Sequence, residues 1–502
     1  MLNFKQKNKV VIIGGGTAGL VIASKLQDYF EVIIVEKSKH KTFPFWYKIP
    51  LLIGLLFKSN NDYIHKRNFL LKNGRQVPFF ESNLFGGTSV MNGGVHVFGG
   101  RAHWNLILNK FNSNYNDLLK SYNDLYSLDA RDGSKISLTG AYQSKVSQSF
   151  VDTLKCKGIS YSDDMSFSDK EGCGVILNTV KRYFRTSVLS ILGKRKFETY
   201  LNEKVESLLF SNNNKEEVVG VKTENREIYA DYVILSGGVS GTCDFLLREK
   251  GRLSGKGNPF SCLKIGKNIK DHTNLRINVL TNKKIGSLNE VSSSFYKKLL
   301  LGFKHFIGMS TLMRGTGATT AAHLDLDGDG AVDTRIHMVQ FSENGRVGSD
   351  GDIFSSTHPG FSISITVINP KSQGVIKLND TNNIINPMYL SSQEDTELLK
   401  LALKFCINLI KSKPLSKYVL GIESENEIIN NPEKYISNNI YSGYHLIGGT
   451  QNAINSDFSV KNTKGLYVCD ASIFDQYAAS NIHSSVVLIA DIFAKKFLDN
   501  NT

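Results

Sequence analysis

The segment KVVIIGGGTAGLVIASKL, residues 9–26, limits what this chain can fold into more than any other. An unbroken apolar run, the pattern of a strand buried on both faces, passes straight into glycines. After them Leu20, Ile22, Ala23 and Leu26 recur at helical spacing. Gly14, Gly16 and Gly19 satisfy GxGxxG. The first allows a tight turn, the second lets backbone approach a pyrophosphate, and the third lets helix and strand pack closely. Thr17 and Ala18 open the helix, whose unpaired N–H groups would face the phosphates. A second strand, FEVIIVEK (30–37), ends in Glu36, about 20 residues on, where a carboxylate can accept hydrogen bonds from a ribose. The unit predicts a Rossmann-like dinucleotide site. Its acid disfavours NADP and leaves FAD and NAD open.

A length of 502 residues exceeds one ordinary core and predicts two or three domains, interleaved in sequence. The 60 Lys+Arg against 46 Asp+Glu give a formal charge of +14, but no block of five like charges occurs, so a generally basic surface is expected rather than a nucleic-acid site. Six scattered cysteines form no CxxC pair and suit free thiols in a reducing compartment. No signal-peptide core precedes the first strand, and IPLLIGLLF (49–57) falls short of the ~20 residues that span a bilayer. The expectation is a cytoplasmic protein without a transmembrane segment.

The glycine-rich LFGGTSVMNGGVHVFGG (84–100) suits backbone lying against a flat or phosphorylated ligand. EIYADYVILSGGVSGTCDFLL (227–247) reads as a strand ending in small residues before a helix, and NTKGLYVCDASIFDQYAASNIHSSVVLIADIFAKKF (462–497) as a short strand, a polar loop and an apolar helix. In this order, and with IGKNIKDH (265–272), NPKSQGVIKLND (369–380) and the stretch from His445 to Ser472, the chain resembles the glucose–methanol–choline (GMC) family of FAD-dependent oxidoreductases. The resemblance implies α/β plus α+β architecture. A Rossmann-like FAD-binding domain would be assembled from 1–110, 185–275 and 441–502. The substrate domain, from 111–184 and 276–440, would be built on an antiparallel sheet with helices. Alternation in GFSISITVI (360–368) and TRIHMVQF (334–341) independently reads as strands. Carried over by position, the residue 14–19 turn would hold the pyrophosphate, Glu36 the ribose and Val205 the adenine. Gly86, Gly87, Thr88, Asn92, Gly93 and Gly94 would run along the flavin, with Asp470 and Ala471 near its phosphate and ring. Met91 stands where some members attach FAD through a histidine, which implies a non-covalent flavin.

The same resemblance sets His445 in the place of the family's catalytic histidine and His483 in the place of its partner. Oxidising an alcohol to a carbonyl with a flavin requires loss of the hydroxyl proton together with hydride transfer to flavin N5. A neutral imidazole beside the substrate oxygen can take that proton. His445 is read as the main base and His483 as the group orienting the same oxygen. His272 matches a position of structural character, and His96 and His103 flank the glycine-rich signature. The substrate is a small-molecule alcohol, with oxygen or another acceptor reoxidising the flavin. A non-redox lyase of the hydroxynitrile-lyase kind, or a flavin photoenzyme, is the alternative on the same scaffold. Gly449 stands where most members have threonine, and Asn455 takes the place of a usual aspartate.

DLDGDGAVDTRI (325–336) presents Asp325, Asp327, Asp329, Gly330 and Asp333 at positions 1, 3, 5, 6 and 9 of a calcium loop, with the Ala331 carbonyl at position 7. Position 12 is Ile336, so the bidentate glutamate is missing. The segment is carried forward as a calcium candidate against an acidic surface turn.

Overall fold

Two sheets of opposite character organise the chain. The computed structural model describes residues 7–58, 61–71, 73–129, 134–253, 257–282, 284–343, 358–379 and 383–502. The first sheet is wholly parallel, in the order Glu198–Leu201, Glu31–Glu36, Lys9–Ile13, Tyr232–Leu235, Leu466–Val468. Its central strands are apolar throughout, as strands covered on both faces are; helix Thr17–Leu26 packs on Lys9–Ile13 and Glu31–Glu36, and strand Asn214–Thr223 packs on Tyr232–Leu235. On one side helix Thr17–Leu26 lies against the C-terminal helix Ile482–Asn501. There Lys25 reaches the buried Asp491 at 2.7 Å, and Lys495 meets the same carboxylate at 2.8 Å.

The second sheet is antiparallel, in the order Val419–Ile422, Thr273–Thr281, Gly360–Val367, Thr334–Val339, Ala318–Leu324, Gly172–Val175. The strands expected at 334–341 and 360–368 are its centre. Period-2 alternation sorts its side chains to two faces. Leu275, Ile365 and Ile336 form one cross-strand row, and Ile277, Ile363 and Met338 the next. These rows join the main core, as do Leu399, Leu403 and Ile407 of helix Gln393–Lys411. The intervening rows, Arg276–Ser364–His337 and Asn274–Thr366–Arg335, point the other way. The fold is thus α/β joined to α+β. No helix among the described residues is long and apolar enough to cross a membrane.

Candidate active site

The C-terminal edge of the parallel sheet and the polar face of the antiparallel sheet enclose one cavity of about 780 Å³. Its first end is made of backbone. Strand Lys9–Ile13 delivers Gly14, whose φ of +106° closes the turn; a Cβ there would lie 2.6 Å from the Ser236 carbonyl oxygen. A Cβ on Gly16 would instead meet nothing nearer than 3.9 Å, so this glycine faces open cavity. Gly87 comes from the second glycine-rich segment, and its Cβ would stand 2.9 Å from Gly16 Cα. Two loops distant in sequence therefore touch main chain to main chain. Three helix N-termini also open here, at Thr17 and Ala18, at Gly238 and Val239, and at Ile482 and His483. Each carries roughly half a positive charge, which suits an anionic ligand.

Acidic side chains set the rim of this end. Glu36 accepts hydrogen bonds from the Gly15 N–H at 2.8 Å and the Ser38 N–H at 2.7 Å, and burial pushes its pKa up. Asp470 accepts from the Ser472 N–H at 2.8 Å, the Gly238 N–H at 2.9 Å and the Thr242 hydroxyl at 2.5 Å. It thereby ties the end of strand Leu466–Val468 to the start of helix Gly238–Arg252. Arg185 donates to the carbonyls of Val90 at 3.0 Å and Asn92 at 2.6 Å, clamping the glycine-rich loop from outside.

The other end is made of side chains. His445 lies on the turn after strand Tyr441–Ser442, which pairs with Thr273–Thr281. Gly443 lets this turn cross His272, since a Cβ would sit 2.7 Å from the His272 Cβ. The Asp271 carboxylate accepts the His445 N–H at 2.7 Å and the hydroxyls of Tyr389 and Ser442. His445 and His272 meet Nδ1 to Nδ1 at 2.9 Å, while His272 Nε2 lies 2.8 Å from the Ile368 carbonyl oxygen.

This pairing has one consistent proton arrangement. A carbonyl oxygen only accepts, so His272 Nε2 carries a hydrogen. Burial, then the neighbouring His445, holds His272 well below the usual imidazole range, so its ring is neutral and its Nδ1 is an acceptor. His445 must therefore donate from Nδ1, which leaves a lone pair on its Nε2. Burial, then Arg335, pushes His445 itself down to about 3. The imidazole is thus a neutral acceptor throughout the physiological range.

His483 lines the same cavity from the first turn of helix Ile482–Asn501. Burial and then the Arg185 charge push it down to about 4. Among the described residues its Nε2 has no hydrogen-bond partner, and neither has Nε2 of His337. Arg276 shares the polar row with His337 and pairs with Glu343 at 2.5 Å.

The structure brings Gly14, Gly16, Thr17, Ala18, Glu36, Gly87, Thr88, Asn92, Gly93, Gly94, Val205, Asp470, Ala471, His445 and His483 to this one cavity. Gly19 and Gly86 stand behind its wall. Gly19 packs on the turn, where a Cβ would lie 2.0 Å from the Gly14 oxygen. His96 is buried against Tyr122 and Tyr126, and neither it nor His103 lines the cavity. The sequence reading missed Arg276, His337 and Arg185. Alternation in TNLRINVLT places Arg276 on one face of a strand but says nothing of what that face meets.

The acidic loop lies away from the cavity, in the hairpin between Ala318–Leu324 and Thr334–Val339. Asp325, Asp327 and Asp333 bring one carboxylate oxygen each within 4.8 Å of one another, and Asp329 lies outside that group. N–H groups of the loop bond each of these carboxylates, although Asp333 Oδ1 is buried without a hydrogen-bond partner among the described residues. Asp333 takes the N–H groups of Leu326 and Asp327, Asp325 those of Gly328 and Gly330, Asp327 that of Asp329, and Asp329 that of Ala331. Such a network is what an acidic turn builds without a cation, and it gives the calcium reading no support.

A Rossmann-type sheet thus faces a histidine-bearing antiparallel sheet across one cavity. Residues 370–490 match the family model described as GMC oxidoreductase. The glucose dehydrogenase (FAD, quinone) of Drosophila pseudoobscura pseudoobscura is 24% identical, the match covering 96% of this chain and 85% of that protein. The oxygen-dependent choline dehydrogenase of Staphylococcus saprophyticus is 23% identical over 99% of this chain and 96% of that one. A formate oxidase crystal structure superposes with a TM-score of 0.85 at 17% identity, covering 99% of both chains. The chain is thus similar to the GMC oxidoreductases over residues 370–490, and over nearly its whole length to dehydrogenases and an oxidase.

Proposed function

We propose that the segments 1–110, 185–275 and 441–502 hold FAD non-covalently and that the chain oxidises an alcohol to a carbonyl. One observation carries this reading: a single cavity has a glycine cradle at one end and His445 with His483 at the other. The cradle fits the group. Gly16 leaves its space open, three helix N-termini face it, and Glu36 is placed for a ribose. The apolar lining from Leu51, Ile53 and Phe57 adds walls for a flat ring, and Met91 offers no covalent attachment. FAD supplies the hydride acceptor for the carbon bearing the hydroxyl.

The chain's own part is proton handling and orientation. His445 Nε2 takes the hydroxyl proton as the carbon gives up hydride, so the C–O bond becomes C=O with charge balanced. His272 keeps His445 in the tautomer that can do so and holds the ring edge fixed. His483 Nε2, unpartnered among the described residues, donates to or accepts from the same substrate oxygen. Backing residues such as Tyr477, stacked on His272 at 3.8 Å, stop the pair from swinging. Relatives named for glucose and choline support an alcohol as the substrate class.

Anaerobic mixing with a panel of alcohols, followed by flavin absorbance, tests the reading. Bleaching by an alcohol is the expected result. A flavin that stays oxidised with every alcohol, while the protein turns over a cyanohydrin, would replace oxidation by lyase chemistry. Repeating the reactive pair with oxygen admitted identifies the acceptor class.

A further inference from the structure

Helix Phe295–Phe306 is amphipathic with its apolar side facing outward. Successive residues turn by about 100°, which puts Phe295, Phe306, Leu299, Phe303, Tyr296 and Ile307 on one arc of roughly 120°. That arc is solvent-facing: Phe295 is 76% exposed, Tyr296 72% and Phe303 64%. The opposite side fastens the helix to the protein. Leu301 packs with Ile49, Leu51 and Met313, and His305 is buried, its ring nitrogens meeting the Tyr183 carbonyl oxygen at 3.1 Å and the Thr311 hydroxyl at 3.2 Å. A helix seated in this way normally turns such residues inward. A contiguous exposed patch of this kind marks a contact surface.

Charge selects what it contacts. Lys297 and Lys304 flank one edge of the apolar arc and Lys298 the other, and no Asp or Glu occurs from 291 to 324. The segment whose Ile49 and Leu51 pack with Leu301 repeats the pattern. Residues 37–61 contain no acid, Lys37, Lys41 and Lys48 are exposed while Lys39 pairs with Asp62 at 2.8 Å, and Phe45 and Trp46 stand in solvent. A second copy of this chain is a poor occupant, because a two-fold contact would set these lysines against each other. A bilayer with anionic headgroups complements both features at once. Apolar side chains enter the acyl boundary while lysines meet phosphates.

We propose that helix Phe295–Phe306, with the Phe45–Trp46 corner, docks the enzyme on an anionic membrane surface. Leu51, Ile53 and Phe57, from the segment under this helix, line the cavity. Docking therefore sets a cavity wall against the bilayer. It would draw on lipid-dissolved alcohols or acceptors, a clause that rests on the function proposed above, whereas docking itself does not.

Flotation of the flavin-loaded protein with vesicles tests this. Phosphatidylcholine vesicles should recover little protein, and vesicles also containing phosphatidylglycerol should recover much of it at low salt. Leu299→Ser with Phe303→Ser should abolish recovery. Each of Lys297→Gln and Lys298→Gln should weaken it roughly fivefold. All variants should keep flavin content and turnover of a water-soluble alcohol. Absence of wild-type recovery on the anionic vesicles overturns the proposal. Undiminished recovery of the serine variant does so too, as does a concentration-dependent dimer that the serine variant dissolves while vesicles recover nothing.

Discussion

The two ends of the cavity are built on different principles. At the glycine end the chain withdraws its side chains: Gly16 and Gly87 touch through main chain, and N–H groups line the space. At the histidine end it projects them. Arg276, Ser364 and His337 form a row across three strands, and His445 leans on His272 from a turn. A backbone site tolerates no added atom, whereas a side-chain site tolerates change in degree. Substitutions should therefore fail in different ways at the two ends.

The largest separation is expected from His445→Ala. Flavin reduction should slow about 10²- to 10⁴-fold while the purified protein keeps its yellow colour, because the cradle is untouched. Anaerobic stopped-flow absorbance measures both at once. Gly87→Val should do the reverse. Its φ of +58° and the 2.9 Å approach to Gly16 leave no room for a side chain, so flavin content should fall to below about a tenth of wild type. If that variant retained full flavin and lost only rate, the contrast between the ends would collapse.

A smaller effect sharpens the histidine end. His272→Leu removes the acceptor for His445 Nδ1–H and should lower kcat roughly ten- to hundredfold, with KM little changed. His272→Asn keeps an acceptor oxygen and should recover part of the rate. A loss equal in both variants would mean that His272 acts only by packing.

The effect of pH on rate is the smallest. Held down to about 3, His445 stays neutral from neutral pH well into acid, so the reductive rate should show no inflection near 6.5. Stability should move instead. His337, His445 and His483 have folded values of about 3 to 4, below the unfolded value of ~6.5. The unfolded chain therefore binds protons first, and stability present above ~6.5 is lost as pH falls toward those values. Each histidine contributes up to about 1.4 kcal/mol per pH unit in that window. Thermal melting at stepped pH should show Tm declining below ~6.5, and a flat profile down to pH 4 would contradict the burial of these rings.

Legibility in the sequence follows the same division. Gly14, Gly16 and Gly19 could be read because a turn of that geometry admits one residue type, and Glu36 because strand length fixes its place. Alternation in 334–341 and 360–368 exposed the strands of the second sheet, since one face meets the apolar core and the other the polar cavity. His445 and His483 were found through resemblance rather than pattern. What hid was pairwise: His272 acquires its meaning from a ring distant in sequence, and Arg185 from the carbonyls of Val90 and Asn92. The acidic run at 325–333 stays open between its two readings, because a cation site and a self-bonded turn use the same residues. Helix Phe295–Phe306 has an ordinary amphipathic pattern, and only the fold reveals that its greasy side is outward.

The order of the parallel sheet has a consequence for assembly. Its central strand Lys9–Ile13 is made long before the edge strand Leu466–Val468 and both histidines. Contacts across such separations form late and slowly. An unfinished or clipped chain would thus own a glycine turn without a wall to close it, so it could neither retain a cofactor nor react. On the function proposed above, loading and competence would arrive together, and a half-built chain would carry no complete site.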